Sequence, residues 1–138
     1  HDGSWVAAAG ANGPVGIDVV DIARFDRIPA RLILSRTELD SADAHSESAL
    51  GKAARWAVKE AYTKCLGVGL KVQPRSLTVA LGADGWCLVS GPSPKRRSWA
   101  CLRPLDDGHL LAISASPHLL AELHVDRGPS VLINRRTA

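Results

Sequence analysis

The chain has 138 residues, room for one domain with its own core and too few for two ordinary ones. Hydrophobic residues make up 46% and charged residues 22%, a globular balance that argues against disorder outside the ends. The net charge of +3 admits an acidic partner and gives only weak support to a nucleic-acid role. Three cysteines, Cys65, Cys87 and Cys101, form an odd, widely spaced set, which indicates neither a disulfide framework nor a zinc cluster and suits a reducing compartment. No apolar run approaches the roughly 18 residues of a membrane span, and the N-terminus lacks the basic-then-apolar order of a signal peptide. A cytoplasmic protein with no membrane partner is the expectation.

Residues 1–13 are Gly- and Ala-rich and without periodicity, which predicts a flexible leader; without a Met, His1 is not expected to be a native start. Val15, Ile17 and Val19 then alternate with Gly16, Asp18 and Val20, predicting a strand that buries one face and carries Asp18 on the other. Asp21 can cap a helical turn over Ile22 to Arg27, and Arg24, Arg27 and Arg31 form a basic segment, ordinarily a solvated face. A short helix is expected within Ser35 to Asp40 with Thr37 as its cap, followed by a loop over Asp43 to Ser48.

The long stretch that follows has the helical period. Leu50, Ala54, Ala57, Val58, Ala61 and Cys65 gather on one stripe, and Trp56, Glu60 and Lys64 stack along its border. Ser46 is the expected N-cap and Gly67 the expected C′ residue. After Gly69 the period becomes two: Leu77, Val79 and Leu81, a turn at Gly82 to Gly85, and a return over Trp86 to Val89 make a β-hairpin. Further strands are expected at Ser98 to Leu102, His109 to Ser114 and Leu119 to Val125, the last two completing an antiparallel meander. Pro129 to Ala138 is expected to fray. The predicted fold class is α+β, an antiparallel sheet packed on one long helix plus short helices, with one domain over 14–127 and flexible ends at 1–13 and 128–138.

By spacing alone Glu60 and Lys64 are most simply a surface ion pair one helical turn apart. Asp18 at a strand and Glu60 on a helix bordering the same core offer another reading. Two hard oxygen ligands suit Mg²⁺, which takes one or two carboxylates and completes its shell with water and phosphate, and Lys64 would then face the phosphate. The glycines at 67 and 69 would let backbone pass close to a bulky ligand.

Gly16-Ile17-Asp18 followed by Arg24, then Trp56-Ala57-Val58-Lys59-Glu60-Ala61 with Lys64, then Gly67-Val68-Gly69, resemble in order and separation the 4′-phosphopantetheinyl transferases. That family moves the phosphopantetheine arm of coenzyme A onto a serine of an apo acyl or peptidyl carrier protein and releases 3′,5′-ADP. The resemblance implies that Asp18 and Glu60 bind Mg²⁺ and that Lys64 contacts the diphosphate and protonates the leaving group. Glu60 is also placed to help activate the serine. Arg55 and Lys59 join Lys64, Gly67 and Gly69 as candidate cofactor-binding residues, reaching the nucleotide or tying the helix to a neighbour. Arg24, Arg27 and Arg31 are the candidate docking residues for an acidic carrier protein of fatty-acid or polyketide synthesis.

Length and the segment Asp18 to Phe25 resemble the short holo-acyl-carrier-protein synthase type, which is a homotrimer with sites between subunits. Val20 stands where the longer, surfactin-synthetase-activating type has a second metal carboxylate. The stretch Trp99 to Ser114 is closer to the longer type, and Ala115 stands where short-type members carry a histidine. His109 is expected to be an ordinary histidine at the edge of a turn. Lys95, Arg96 and Arg97 belong to a basic loop, solvated or set against the 3′-phosphate of coenzyme A, and Trp56, Trp86 and Trp99 are expected in the core or at a subunit interface. Two rivals to the Mg²⁺-dependent enzyme are a carrier-protein-binding module of the same fold without turnover and a small basic nucleic-acid-binding protein, the latter disfavoured by the absence of a recognisable motif.

Overall fold

A computed structural model describes residues 7–9, 13–41, 47–68, 71–91, 97–106, 108–116, 120, 124–125 and 131–134. In chain order these form β1 (Ala7–Ala9), β2 (Val15–Asp21), α1 (Arg36–Asp40), α2 (Ala49–Cys65), β3 (Thr78–Leu81), β4 (Trp86–Ser90), β5 (Arg97–Pro104), β6 (His109–Ala115), β7 (His124–Val125) and β8 (Val131–Asn134). Five of the strands build one antiparallel sheet in the order β2-β6-β5-β4-β3. The fold is α+β, as expected. Among the described residues no helix is long and apolar enough to cross a membrane.

The meander ends differently from expectation. Its fourth strand, β6, pairs with β2 from the start of the chain, Asp18 lying opposite Ala112. Leu120 is helical, its amide donating to the carbonyl of Ser116 at 3.0 Å, so of the strand expected over Leu119 to Val125 the described residues show only His124–Val125 as strand. Short β7 pairs instead with β8, and β8 runs parallel to β1. Strands thus occupy part of both stretches expected to be flexible ends.

Alternation along β2 divides the core. Val19 faces a cluster with Leu111, Ile113, Ala115 and Leu120, joined by Val15 and Ile17, while Val20 faces the cluster beneath α2. Gly16 shares that second face, and a Cβ there would collide with the carbonyl oxygen of Ala61 and the amide of Cys65. The missing side chain lets α2 lie directly on β2. Ala54, Ala57, Val58 and Ala61 fill the contact and are almost wholly buried. Leu50, on the same predicted stripe, is 54% exposed, because the stripe at the first turn runs past the core to border a cleft with Leu81 and Leu102.

Several caps move. The N-cap of α2 is Ser48, whose Oγ accepts from the amide of Gly51 at 3.0 Å; Ser46 lies outside the described residues. The C-terminal end is as expected: Gly67 has φ +68°, and the amide of Val68 returns to the carbonyl of Thr63 at 3.2 Å. Helix α1 is capped by Ser35, not Thr37. Its Oγ accepts from the amide of Glu38 at 3.2 Å, and the Glu38 carboxylate accepts from the Ser35 amide at 2.6 Å, a reciprocal capping box. Asp21 caps the turn after β2 as predicted, with Oδ1 accepting from Ala23 at 2.9 Å, but the turn is a 3₁₀ segment ending at Phe25.

The capping box feeds a buried ion cluster. Glu38 Oε2 lies 2.6 Å from Lys59 Nζ, and Oε1 accepts from the Val79 amide at 2.8 Å with Arg55 Nε at 3.9 Å. Lys59 also donates to the carbonyl of Ile33 at 2.8 Å. One carboxylate therefore joins α1, α2 and β3. Burial holds the Lys59 ammonium below its usual range, and the neighbouring Glu38 charge works against that shift. Lys52, about two turns earlier in the helix, donates to the carbonyl of Ile28 at 2.8 Å. Removing one partner from a buried pair strands the other charge, so Lys59→Met is expected to destabilise the protein by roughly 3–5 kcal/mol. Urea denaturation measures this; a midpoint within error of wild type would contradict the cluster's structural role. Gly16→Val is expected to lower the midpoint as well, because two backbone segments must part to admit the side chain.

Candidate active site

The site grows from the close contact at Gly16. Two residues along β2, Asp18 emerges on the same face as Gly16, beside α2. Glu60 and Lys64 are one helical turn apart on the flank of α2 that meets it. Lys64 reaches across the chain: its Nζ is 2.6 Å from Asp18 Oδ1 and donates to the carbonyl of Ile17 at 3.1 Å. Asp18 is only 13% exposed in its side chain, against 45% for Lys64, so the pair sits at the mouth of a recess.

Glu60 is half-buried nearby. Its carboxyl is pushed above the usual carboxylate range, first by burial and then by the Asp18 charge, with Lys64 acting in the opposite direction. Two carboxylates that repel one another in a partly desolvated place create a demand for positive charge. As hard oxygen donors they fit a small divalent cation such as Mg²⁺, with water or phosphate oxygens filling the remaining positions. Among the described residues no group of three or more His, Cys, Asp or Glu side chains surrounds a common point, so the protein would supply a two-carboxylate site.

Arg24, Arg27 and Arg31 are all exposed on the segment between β2 and α1. Arg24 stands at an apolar cleft of about 550 Å³ that begins at Asp18 and is walled by Phe25, Ile28, Leu32, Ile33 and Trp56. Trp56 packs against Phe25 with ring centroids 6.2 Å apart, so it is a wall of this cleft and part of the core, in keeping with expectation. Trp86 and Trp99 meet edge to face at 6.5 Å on the far side of the sheet, with Trp99 42% exposed.

Lys59 and Arg55 do not join the site. Lys59 is wholly buried and Arg55 nearly so, both turned to Glu38, which corrects their assignment as nucleotide-binding residues in favour of tying the helix to its neighbours. The physical reason is rotational: they lie on the opposite flank of α2 from Glu60 and Lys64. Gly67 is present for its left-handed backbone, since nothing lies within 4 Å of where its Cβ would be. Gly69, Lys95 and Arg96 lie outside the described residues, and Arg97 is exposed at the start of β5. Across from it, Tyr62, Leu66 and Val68 complete a cleft of about 400 Å³.

Ala115 lies opposite Val15 and Trp99 on the face of the sheet away from Asp18, so its lack of an imidazole leaves the Asp18, Glu60 and Lys64 arrangement intact. His109 stands at the edge of its turn, the place expected for it, with Nδ1 2.9 Å from Asp106 Oδ1. Val20, 5% exposed, is a core residue. Sequence reasoning missed Glu38. The Ser-x-x-Glu pattern at Ser35 was its signal, together with a lysine at 59 that a buried helix flank could not hold alone.

Comparison with known proteins identifies relatives of this chain. The 4′-phosphopantetheinyl transferase psf-1 of Bacillus pumilus is 30% identical over 130 residues, 91% of this chain and 54% of that protein. A holo-[acyl-carrier-protein] synthase of Carboxydothermus hydrogenoformans is 40% identical over 78 residues, 51% of this chain and 63% of that protein. The chain therefore spans between 54% and 63% of the length of these relatives. A solved holo-[acyl-carrier-protein] synthase from Neisseria meningitidis superposes with a TM-score of 0.59 at 20% identity, covering 73% of this chain and 94% of that one, a likeness of fold. Relatives of both names match, as the two-part resemblance led us to expect. With the sequence model of the superfamily matching residues 14–114, which contain β2, α2 and all three residues of the charged cluster, the chain belongs to the 4′-phosphopantetheinyl transferase superfamily.

Proposed function

We propose that the protein transfers the 4′-phosphopantetheine arm of coenzyme A to a serine hydroxyl of an apo acyl carrier protein, releasing 3′,5′-ADP. The observation that carries this reading is the convergence of Asp18, Glu60 and Lys64, with Lys64 Nζ 2.6 Å from Asp18 Oδ1. In this reading Asp18 and Glu60 hold Mg²⁺, which when bound offsets negative charge on the diphosphate. Lys64 contacts the diphosphate and supplies a proton to the departing phosphate. Glu60, kept partly out of water, is positioned to draw the proton from the attacking serine. Catalysis on such a plan is chiefly orientation and electrostatic stabilisation.

Arg24, Arg27 and Arg31 present positive charge beside the apolar cleft that opens at Asp18. That combination suits an acidic helical partner carrying an apolar patch, which is why a carrier protein of fatty-acid or polyketide synthesis is the proposed substrate. A homotrimer, in which neighbouring copies complete the coenzyme A site, is proposed for the assembly and a cytoplasmic setting for its action. The trimer follows from the short-type resemblance, and the setting from the odd, widely spaced set of cysteines. Size-exclusion chromatography with light scattering tests the assembly; a mass of one chain that persists in active fractions would dismiss it.

The decisive experiment incubates the protein with coenzyme A, Mg²⁺ and several apo carrier proteins and follows the mass of each carrier. Gain of the phosphopantetheine mass is expected, and no gain on any carrier beside a working control enzyme would favour a binding module without turnover. Glu60→Gln and Asp18→Asn are expected to lower kcat by roughly 10²–10³-fold with the fold retained. Near-normal rates in both, measured by the same mass assay, would remove these residues from the site. Arg24→Glu is expected to raise the KM for carrier protein by about tenfold at low salt, an effect that shrinks as salt is added. Loss of coenzyme A affinity alone in that variant would instead assign Arg24 to the nucleotide.

A further inference from the structure

Lys64 is bonded to the residue proposed as a metal ligand, and this contact says something about how the site loads. Its ammonium lies 2.6 Å from Asp18 Oδ1, at the distance of a strong charge-assisted bond, and is fixed a second time by the Ile17 carbonyl at 3.1 Å. Asp18 is largely buried, so this is more than a solvated surface pair, and Glu60 feels the charges of both partners. Without a metal, the two carboxylates need a neighbouring cation, and Lys64 supplies one. A divalent cation entering beside Asp18 and Glu60 would confront an ammonium already bonded to one of its oxygen donors. Metal and ammonium repel each other at such range, while the diphosphate that accompanies coenzyme A offers Lys64 a new anionic partner.

We propose that Lys64 is the resident counter-cation of the Asp18 and Glu60 pair, which it balances in the unliganded chain and leaves for the substrate diphosphate when a divalent cation takes its place. This rests on the metal reading of the site given above and adds the order of events: loading the metal is what frees the lysine. Lys64 has the means to make that move. It is on the last turn of α2, nearly half exposed, and its long stem can swing without disturbing the helix. The exchange would couple metal and coenzyme A, because each makes room for or receives what the other displaces.

The test is equilibrium binding of Mn²⁺ in the absence of coenzyme A, read from the free-ion electron paramagnetic resonance signal, for the wild type, Lys64→Met, Lys64→Arg and Asp18→Asn. Lys64→Met is expected to bind Mn²⁺ about tenfold more tightly than wild type, because a competing charge has gone. Lys64→Arg, which keeps the charge, is expected to stay within a few-fold of wild type and shows that the effect follows charge and not folding. Asp18→Asn is expected to weaken binding. If Lys64→Met binds Mn²⁺ no more tightly than wild type while Asp18→Asn still weakens it, the metal site stands and the exchange is wrong. If Asp18→Asn binds as wild type does, or if none of the proteins binds Mn²⁺ saturably, the metal reading fails and the exchange fails with it.

Discussion

The direct seating of α2 on β2 at Gly16 is the constraint on which the remaining structure depends. A strand and a helix ordinarily keep a layer of side chains between them, and a glycine at the crossing removes that layer. The small residues of α2, Ala54, Ala57 and Ala61, let the same approach continue along the helix. Because the backbones are so close, Asp18 and the flank carrying Glu60 and Lys64 arrive at one place without long reaches. A bulkier crossing would separate the carboxylates and dissolve the cluster even if every charged residue were retained.

The opposite flank of the helix solves a different electrostatic problem. Lys59 is next to Glu60 in sequence but faces the interior, where an ammonium is tolerated only with a partner and full hydrogen bonding. Glu38 provides that partner and spends its remaining oxygen capacity on the amides of Ser35 and Val79. The adjacent Lys-Glu pair in the sequence thus divides its work: the lysine fixes the rotation of the helix about its axis, and the glutamate is presented at the recess by that rotation. Each flank of the helix carries a lysine bonded to a carboxylate from another part of the chain, Lys59 to Glu38 and Lys64 to Asp18.

Much of this was legible from residues alone, where a feature depended on neighbours in sequence. The period of 3.6 located α2, the period of two located the hairpin of β3 and β4, and the left-handed end at Gly67 followed from its residue type. The Asp18, Glu60 and Lys64 grouping came from a strand and a helix bordering one core and was strengthened by a resemblance in motif order, and the packing explains it, since Gly16 in the same motif supplies the closeness. What escaped depended on distant partners. A capping box at Ser35 looks like local helix chemistry until its carboxylate is seen to bridge to Lys59 and Val79, and local propensity could not foresee that β6 would close on β2. The two roles open to Lys59 and Arg55 could not be separated for the same reason, because the sequence marks them as cations without showing which flank is dry.

The bonds from Lys52 to the Ile28 carbonyl and from Lys59 to the Ile33 carbonyl have a consequence for the arginine-bearing segment. Between β2 and α1 that segment contains only 3₁₀ turns, too short to be rigid in isolation. Its shape is borrowed from the long helix, through ammonium groups hidden beneath it. The exposed basic surface is therefore a veneer over a concealed frame, and changes in the frame would be felt at a surface that the altered residues never reach.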